Sequence, residues 1–260
     1  MSFWNKLKKP FFILAPMADV TDAAFRRLIA KYSKGKTPYV TYTEFVSADG
    51  LFLGGRDALI KDLTYTEGER PIVAQFFTSK PDNMEKAARL AYELGFDGVD
   101  INMGCPDRSI EKQGAGASLM KHPRLAQELI HAAKKGAGKL PVSVKTRVGY
   151  NKVEIEDWLP TLLDAEPAVI SVHARTRKEL SKVPAQWGFV KRAVEIRNTM
   201  KSKTLIVGNG DVMNFDAARA RANESGADGV MLGRAIFGNP YLFSNSAELE
   251  NRYSGGDIRK

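Results

Sequence analysis

Cysteine is almost absent. The 260 residues contain one, Cys105, which excludes an internal disulfide framework and any multi-cysteine zinc or iron–sulfur site. Histidine is scarce too: His122, His131 and His173 are too widely spaced to argue for metal-based chemistry, so no metal is expected. No apolar run approaches the roughly 20 residues that a bilayer span requires, and no membrane association is expected. No Gly-x-Gly-x-x-Gly follows the first strand-like segment, which weakens a doubly wound dinucleotide-binding sheet. Low-complexity linkers, charge blocks and internal repeats are missing as well, so nothing marks a second domain.

What is present is an ordinary globular composition, 43% hydrophobic and 27% charged, which excludes a disordered chain. The length suits one large α/β barrel or two small domains. Lys and Arg number 39 against 30 Asp and Glu, and 39 − 30 gives +9, which makes a polyanionic partner worth testing. Lys6, Lys8 and Lys9 ahead of Phe11-Phe12-Ile13-Leu14-Ala15 look superficially like a secretory leader. That apolar stretch is short and runs into Pro16 and Asp19, so it reads as a buried strand, and a cytoplasmic location is expected.

Short apolar, β-branched runs alternate with amphipathic helical patterns along the chain, the signature of βα units and a parallel sheet. Eight strands are expected, over Phe11–Met17, Tyr39–Val46, Pro71–Phe77, Gly98–Gly104, Val142–Arg147, Val169–Thr176, Thr204–Gly208 and Gly229–Gly233. Helical patterns lie between them over Asp22–Tyr32, Asn83–Leu94, Pro123–Lys135, Ile155–Asp164, Phe189–Met200 and Phe215–Ser225. Asp82 reads as the residue ahead of one helix start, Gly95 and Gly226 as stops, and Gly35-Lys36-Thr37-Pro38 as the close of the first helix. Eight units in this length predict a single-domain (β/α)8 TIM barrel over residues 1–243, followed by a polar tail over 244–260.

In such a barrel the active site lies at the C-terminal ends of the strands. Seven of the eight ends carry polar or reactive groups: Glu44, Gln75, Asn102 with Cys105, Lys145 with Arg147, His173 with Arg175, Asn209 with Asp211, and Arg234. Gly208-Asn209-Gly210-Asp211 and Gly233-Arg234 let backbone N–H groups approach an anion, with Arg234 adding a fixed charge; the alternative is that these glycines only serve tight turns. Lys145 and His173 would point inward at the rim. A lysine there needs an electron-rich ligand, such as a reduced flavin ring, or a carboxylate across the barrel, Asp100 or Glu44. Cys105, between Gly104 and Pro106 at the mouth, can give or take a proton, although most single cysteines are inert small hydrophobes.

Taken in order, Leu14-Ala-Pro-Met17, Asn102-Met-Gly-Cys-Pro106 with Gly114-Ala-Gly116, Val144-Lys-Thr-Arg147, His173-Ala-Arg-Thr176, Gly208-Asn-Gly-Asp211 and Gly233-Arg234 with Asn239-Pro240 resemble the tRNA-dihydrouridine synthases. The resemblance covers roughly residues 10 to 243. It implies an FMN-dependent barrel that reduces the 5,6 double bond of uridines in tRNA, with NADPH or NADH reloading the flavin. Carried to matching positions, Pro16, Met17 and Ala18 would line the flavin ring, and Gln75 and Lys145 would bond its polar edge. His173, Asn209, Gly210, Asp211, Gly233 and Arg234 would hold the ribityl chain and phosphate. The same resemblance implies hydride delivery to uracil C6, protonation of C5 by Cys105, and a uracil held by Asn102, Arg147, Arg175 and Arg177. A base must leave its stack to reach such a mouth.

Two features depart from the family pattern. Members usually continue into a helical tRNA-gripping domain, whereas this chain runs only 26 residues past Arg234 (260 − 234), so a monomeric barrel without that domain is expected. The segment Arg177-Lys-Glu-Leu-Ser-Lys-Val-Pro-Ala-Gln-Trp187 lacks the Tyr and Gly often found there and is strongly basic, which suits RNA phosphates or a solvated loop. Two other functions remain open at this level: an FMN reductase of a free pyrimidine or enone, and a non-catalytic RNA-binding barrel.

Overall fold

A computed structural model describes residues 2–33 and 38–244. Eight parallel strands close into a barrel in sequence order, β1 (Phe11–Leu14), β2 (Tyr39–Ser47), β3 (Ile72–Phe77), β4 (Gly98–Met103), β5 (Val142–Arg147), β6 (Val169–His173), β7 (Leu205–Asn209) and β8 (Gly229–Leu232). Closure is made by β8 against β1, with Leu14 opposite Leu232. The helices are α1 (Ala23–Ser33), α2 (Ala48–Phe52), α3 (Arg56–Leu59), α4 (Pro81–Glu93), α5 (Arg108–Glu111), α6 (Pro123–Gly136), α7 (Ile155–Asp164), α8 (Gly188–Thr199) and α9 (Phe215–Ser225). The expected (β/α)8 TIM barrel is the observed fold. No helix among the described residues is long and apolar enough to cross a membrane.

The strands are buried on both faces, and the period of two sorts their side chains into two apolar sets. Phe12, Leu14, Ala74, Phe76, Val99, Ile101, Val144, Ile170, Ile206 and Val230 pack outward against the helices. Phe11, Ile13, Val73, Val169, Leu205, Val207 and Met231 fill the barrel with Trp4, which is 2% exposed. Trp4 comes from a 3-10 turn over Phe3–Lys6, capped by Ser2, and its ring lies 5.3 Å from that of Phe11. It closes the floor of the barrel. Towards the mouth the interior turns polar: Gln75, Asp100 and Ser143 sit side by side on β3, β4 and β5, and Asn102 is opposite Lys145 one step higher.

Several boundaries differ from expectation. β1, β4, β6 and β8 end before Met17, Gly104, Thr176 and Gly233, because the chain turns out of the ladder at the mouth. Asp82 lies inside the first turn of α4 rather than ahead of it, since Pro81 takes the first helical position, where its missing N–H is not needed. Residues 35–37 of the expected close of α1, and the expected tail apart from Ser244, lie outside the described residues.

Candidate active site

Nine of the eleven expected cofactor residues line one cavity of ≈ 200 Å³ at the mouth: Pro16, Met17, Lys145, His173, Asn209, Gly210, Asp211, Gly233 and Arg234. Ala18 is in the turn after β1 outside this lining, and Gln75 lies fully buried beneath it. Asn209 is fixed by its Nδ2, which donates to the Met231 carbonyl at 2.9 Å. The Asp211 carboxylate bridges two arginines, accepting from Arg175 Nη2 at 2.5 Å and Arg234 Nη2 at 2.7 Å. An anion here would therefore meet backbone N–H groups and the exposed guanidinium of Arg234 rather than a bare carboxylate.

The cavity is strongly cationic. Lys145 forms no hydrogen bond or ion pair with any described residue; Asp100 acts on it only through space, its hydrogen bonds going to other groups. Glu44 accepts the Asp19 backbone N–H, and Asp100 accepts from Gln75 and Ser143. Burial, then the neighbouring Arg147, brings the Lys145 ammonium down to about 8. Burial first, then Lys145, Arg147, Arg175 and Arg234, holds the His173 imidazole far below its usual range, so the ring is neutral. Arg175 Nη1 lies 3.2 Å from His173 Nε2, and a guanidinium can only donate, which puts the ring proton on Nδ1. Beside Lys145 in the barrel register, the fully buried Ser171 hydroxyl has no partner.

The Cys105 loop is clamped on several sides. Asn102 Oδ1 accepts from the backbone N–H of Gly104 at 3.1 Å and of Cys105 at 2.9 Å. Arg147 Nε donates to the Gly104 carbonyl at 2.8 Å, and its Nη1 reaches the Thr176 and Leu180 carbonyls. Ala117 N–H donates to the Cys105 carbonyl at 2.9 Å. Gly116, at φ +61, makes that approach possible: a Cβ there would lie 2.8 Å from the Cys105 oxygen. Burial raises the thiol pKa, against the lowering influence of the Asp107 backbone, Lys145 and Arg147, so Cys105 is a protonated thiol at neutral pH.

The dihydrouridine synthase family model matches residues 13–255. The chain belongs to the dihydrouridine synthase family. It is 43% identical to a "Probable tRNA-dihydrouridine synthase 2" of Bacillus subtilis (strain 168), over 93% of this chain and 74% of that one. It is 41% identical to a "Probable tRNA-dihydrouridine synthase" of Staphylococcus aureus (strain COL), over 93% of this chain and 73% of that one. Among solved structures, a 2-naphthoyl-CoA reductase in complex with 2-naphthoyl-CoA superposes with a TM-score of 0.62 at 12% identity, a likeness of fold alone. That match covers 91% of this chain and half the length of the other. Membership in the dihydrouridine synthases makes the chain an enzyme of the flavin-dependent oxidoreductase class.

In this dihydrouridine synthase the four expected substrate residues are not equivalent. Asn102 and Arg147 are buried against the Cys105 loop. Arg175 is 3% exposed and holds the Val183 carbonyl and Asp211, which ties the loop after β6 to the end of β7. Arg177 forms a two-pronged ion pair with Glu111 of α5, and its guanidinium lies 5.3 Å from the Tyr150 ring centroid, with Lys121 at 4.2 Å. Sequence reasoning missed the polar chain under the cavity, Ser143–Asp100–Gln75–Asn102. Its signal was Asp100 and Asn102 alternating with apolar residues in Gly98–Met103, which puts both on one face of the strand. A larger groove of ≈ 640 Å³ runs outside the barrel along α7, but its charged Arg192 is already paired with Glu156 and Glu195, and it adjoins none of these groups.

Proposed function

We propose that this chain reduces the 5,6 double bond of uridines in tRNA, with FMN in the mouth cavity and NADPH or NADH as reductant. The observation that carries the reading is Lys145, an ammonium withdrawn from water with no carboxylate bonded to it, in one cavity with a neutral His173 and within electrostatic range of the chain's single thiol. A buried cation of this kind favours an electron-rich ligand. When bound, FMN supplies hydride-transfer chemistry. Pro16 and Met17 would flank its ring, Lys145 would bond its polar edge, and His173 Nδ1–H, Asn209, Gly210, Gly233 and Arg234 would hold the ribityl chain and phosphate. Asp211 aligns Arg234 and Arg175.

The cavity, of ≈ 200 Å³, is smaller than the roughly 300 Å³ of a usual ligand pocket and lies at the barrel mouth, where a bound ring would remain within reach of a substrate. A uridine turned out of its stack would enter there. Cys105 is suited to give a proton to uracil C5 because burial keeps its thiol protonated, and Arg147 fixes the loop that carries it. The test is to load the purified chain with FMN and supply NADPH and unmodified tRNA. Dihydrouridine should form, and Cys105→Ala should lose about 10²-fold or more of that turnover with FMN still bound. A chain that refuses FMN on reconstitution overturns the reading.

A further inference from the structure

Beneath the cavity, four side chains form a line of hydrogen bonds that converges on Asp100. Ser143 Oγ donates to Asp100 Oδ1 at 2.5 Å, and Gln75 Nε2 donates to Asp100 Oδ2 at 2.6 Å. Asn102 Nδ2 donates to Gln75 Oε1 at 3.2 Å, and Asn102 Oδ1 receives the Gly104 and Cys105 backbone N–H groups. Gln75, Asp100 and Ser143 are each no more than 1% exposed, so water cannot substitute for these bonds.

A primary amide can point either way, and two amides in series are indifferent to direction unless one end is fixed. An ionised carboxylate fixes it, because it accepts only. It forces Gln75 to turn its NH2 down and its carbonyl up, which forces Asn102 to turn its NH2 towards Gln75. The same sense presents an oxygen to the two backbone N–H groups of the Cys105 loop, so the carboxylate and the loop agree on the direction of the line.

We propose that Asp100 is a positioning residue that sets the orientation of Gln75 and Asn102 and through them holds Cys105 in place. The consequence for turnover rests on the reading of Cys105 as proton donor; the effect on the thiol itself does not.

The single cysteine makes the test direct, since iodoacetamide can alkylate only Cys105. Asp100→Asn keeps the shape but replaces an acceptor-only group with one that can turn an NH2 towards Gln75, so the sense of both amides is no longer fixed from this end. At pH 8 this variant should alkylate at least fivefold faster than the native chain, as the loop loosens and the half-buried thiol reaches water. Ser143→Ala removes the other hydrogen bond to the same carboxylate without touching the amide sense, and should stay within twofold. Gln75→Leu breaks the line in its middle and should match Asp100→Asn, which keeps the test available should that variant not fold. In tRNA reduction, Asp100→Asn should lower kcat about tenfold and Ser143→Ala by less than twofold. Native-like alkylation in both Asp100→Asn and Gln75→Leu overturns the proposal, as does equal acceleration in Ser143→Ala. A native chain that reduces no uridine overturns the proposed function instead, and the alkylation rates still decide the role of Asp100.

Discussion

A lysine ammonium that leaves water without a carboxylate bonded to it raises the free energy of the folded chain. Lys145 is such a group, lowered from 10.5 to about 8, with burial the leading cause. The unfolded chain therefore binds more protons than the folded one between about pH 8 and 10.5, and stability rises with pH across that window. In the ligand-free protein, Lys145→Met should be more stable than the native chain at pH 7, and the gap should narrow as pH climbs from 8 to 10.5. Urea unfolding of both proteins at several pH values measures this. The same variant should bind FMN at least tenfold more weakly by flavin titration, because an attraction for the ligand is removed along with the cost of carrying the charge unpaired. His173 and Cys105 extend the point: burial, helped by the surrounding cations, keeps the imidazole neutral, and burial raises the thiol pKa.

Among the elements, α4 and α6 touch through backbone. A Cβ on Gly136, in the last turn of α6, would lie 2.0 Å from the Glu85 carbonyl of α4. Gly136→Ala should force the helices apart and destabilise the fold by about 1–3 kcal/mol, read from the urea midpoint, with Cys105 alkylation unchanged because the strain falls outside the barrel. The strands were legible because each reads as a short, mainly apolar run bounded by turn residues. Their mouth ends were not. Met17, Gly104 and Thr176 continue the run in sequence but find no ladder partner where the chain bends outward. The short helices α2, α3 and α5 also escaped notice, being too brief to show a period. In the site, the mouth residues announced themselves as polar groups after apolar strands. The direction of the Gln75 and Asn102 amides did not, since it depends on which side chain of a neighbouring strand accepts, and register across β3, β4 and β5 is a property of the closed barrel.

For the molecule as a whole, Trp4 joins a segment that read as merely lysine-rich to the apolar interior of the barrel. Trp4→Ala removes a fully buried ring from the floor and should cost about 3–5 kcal/mol. A loss of that size should lower Tm by on the order of 10 °C in a chain of this length, measurable by calorimetry on the ligand-free protein. With its floor sealed by Trp4, Phe11 and the apolar layer above them, the barrel is a blind well. Whatever enters by the mouth must leave by it. On the proposed function, a nicotinamide dinucleotide and a transfer RNA would share that one doorway, and neither could wait its turn on the far side: they would have to visit one after the other.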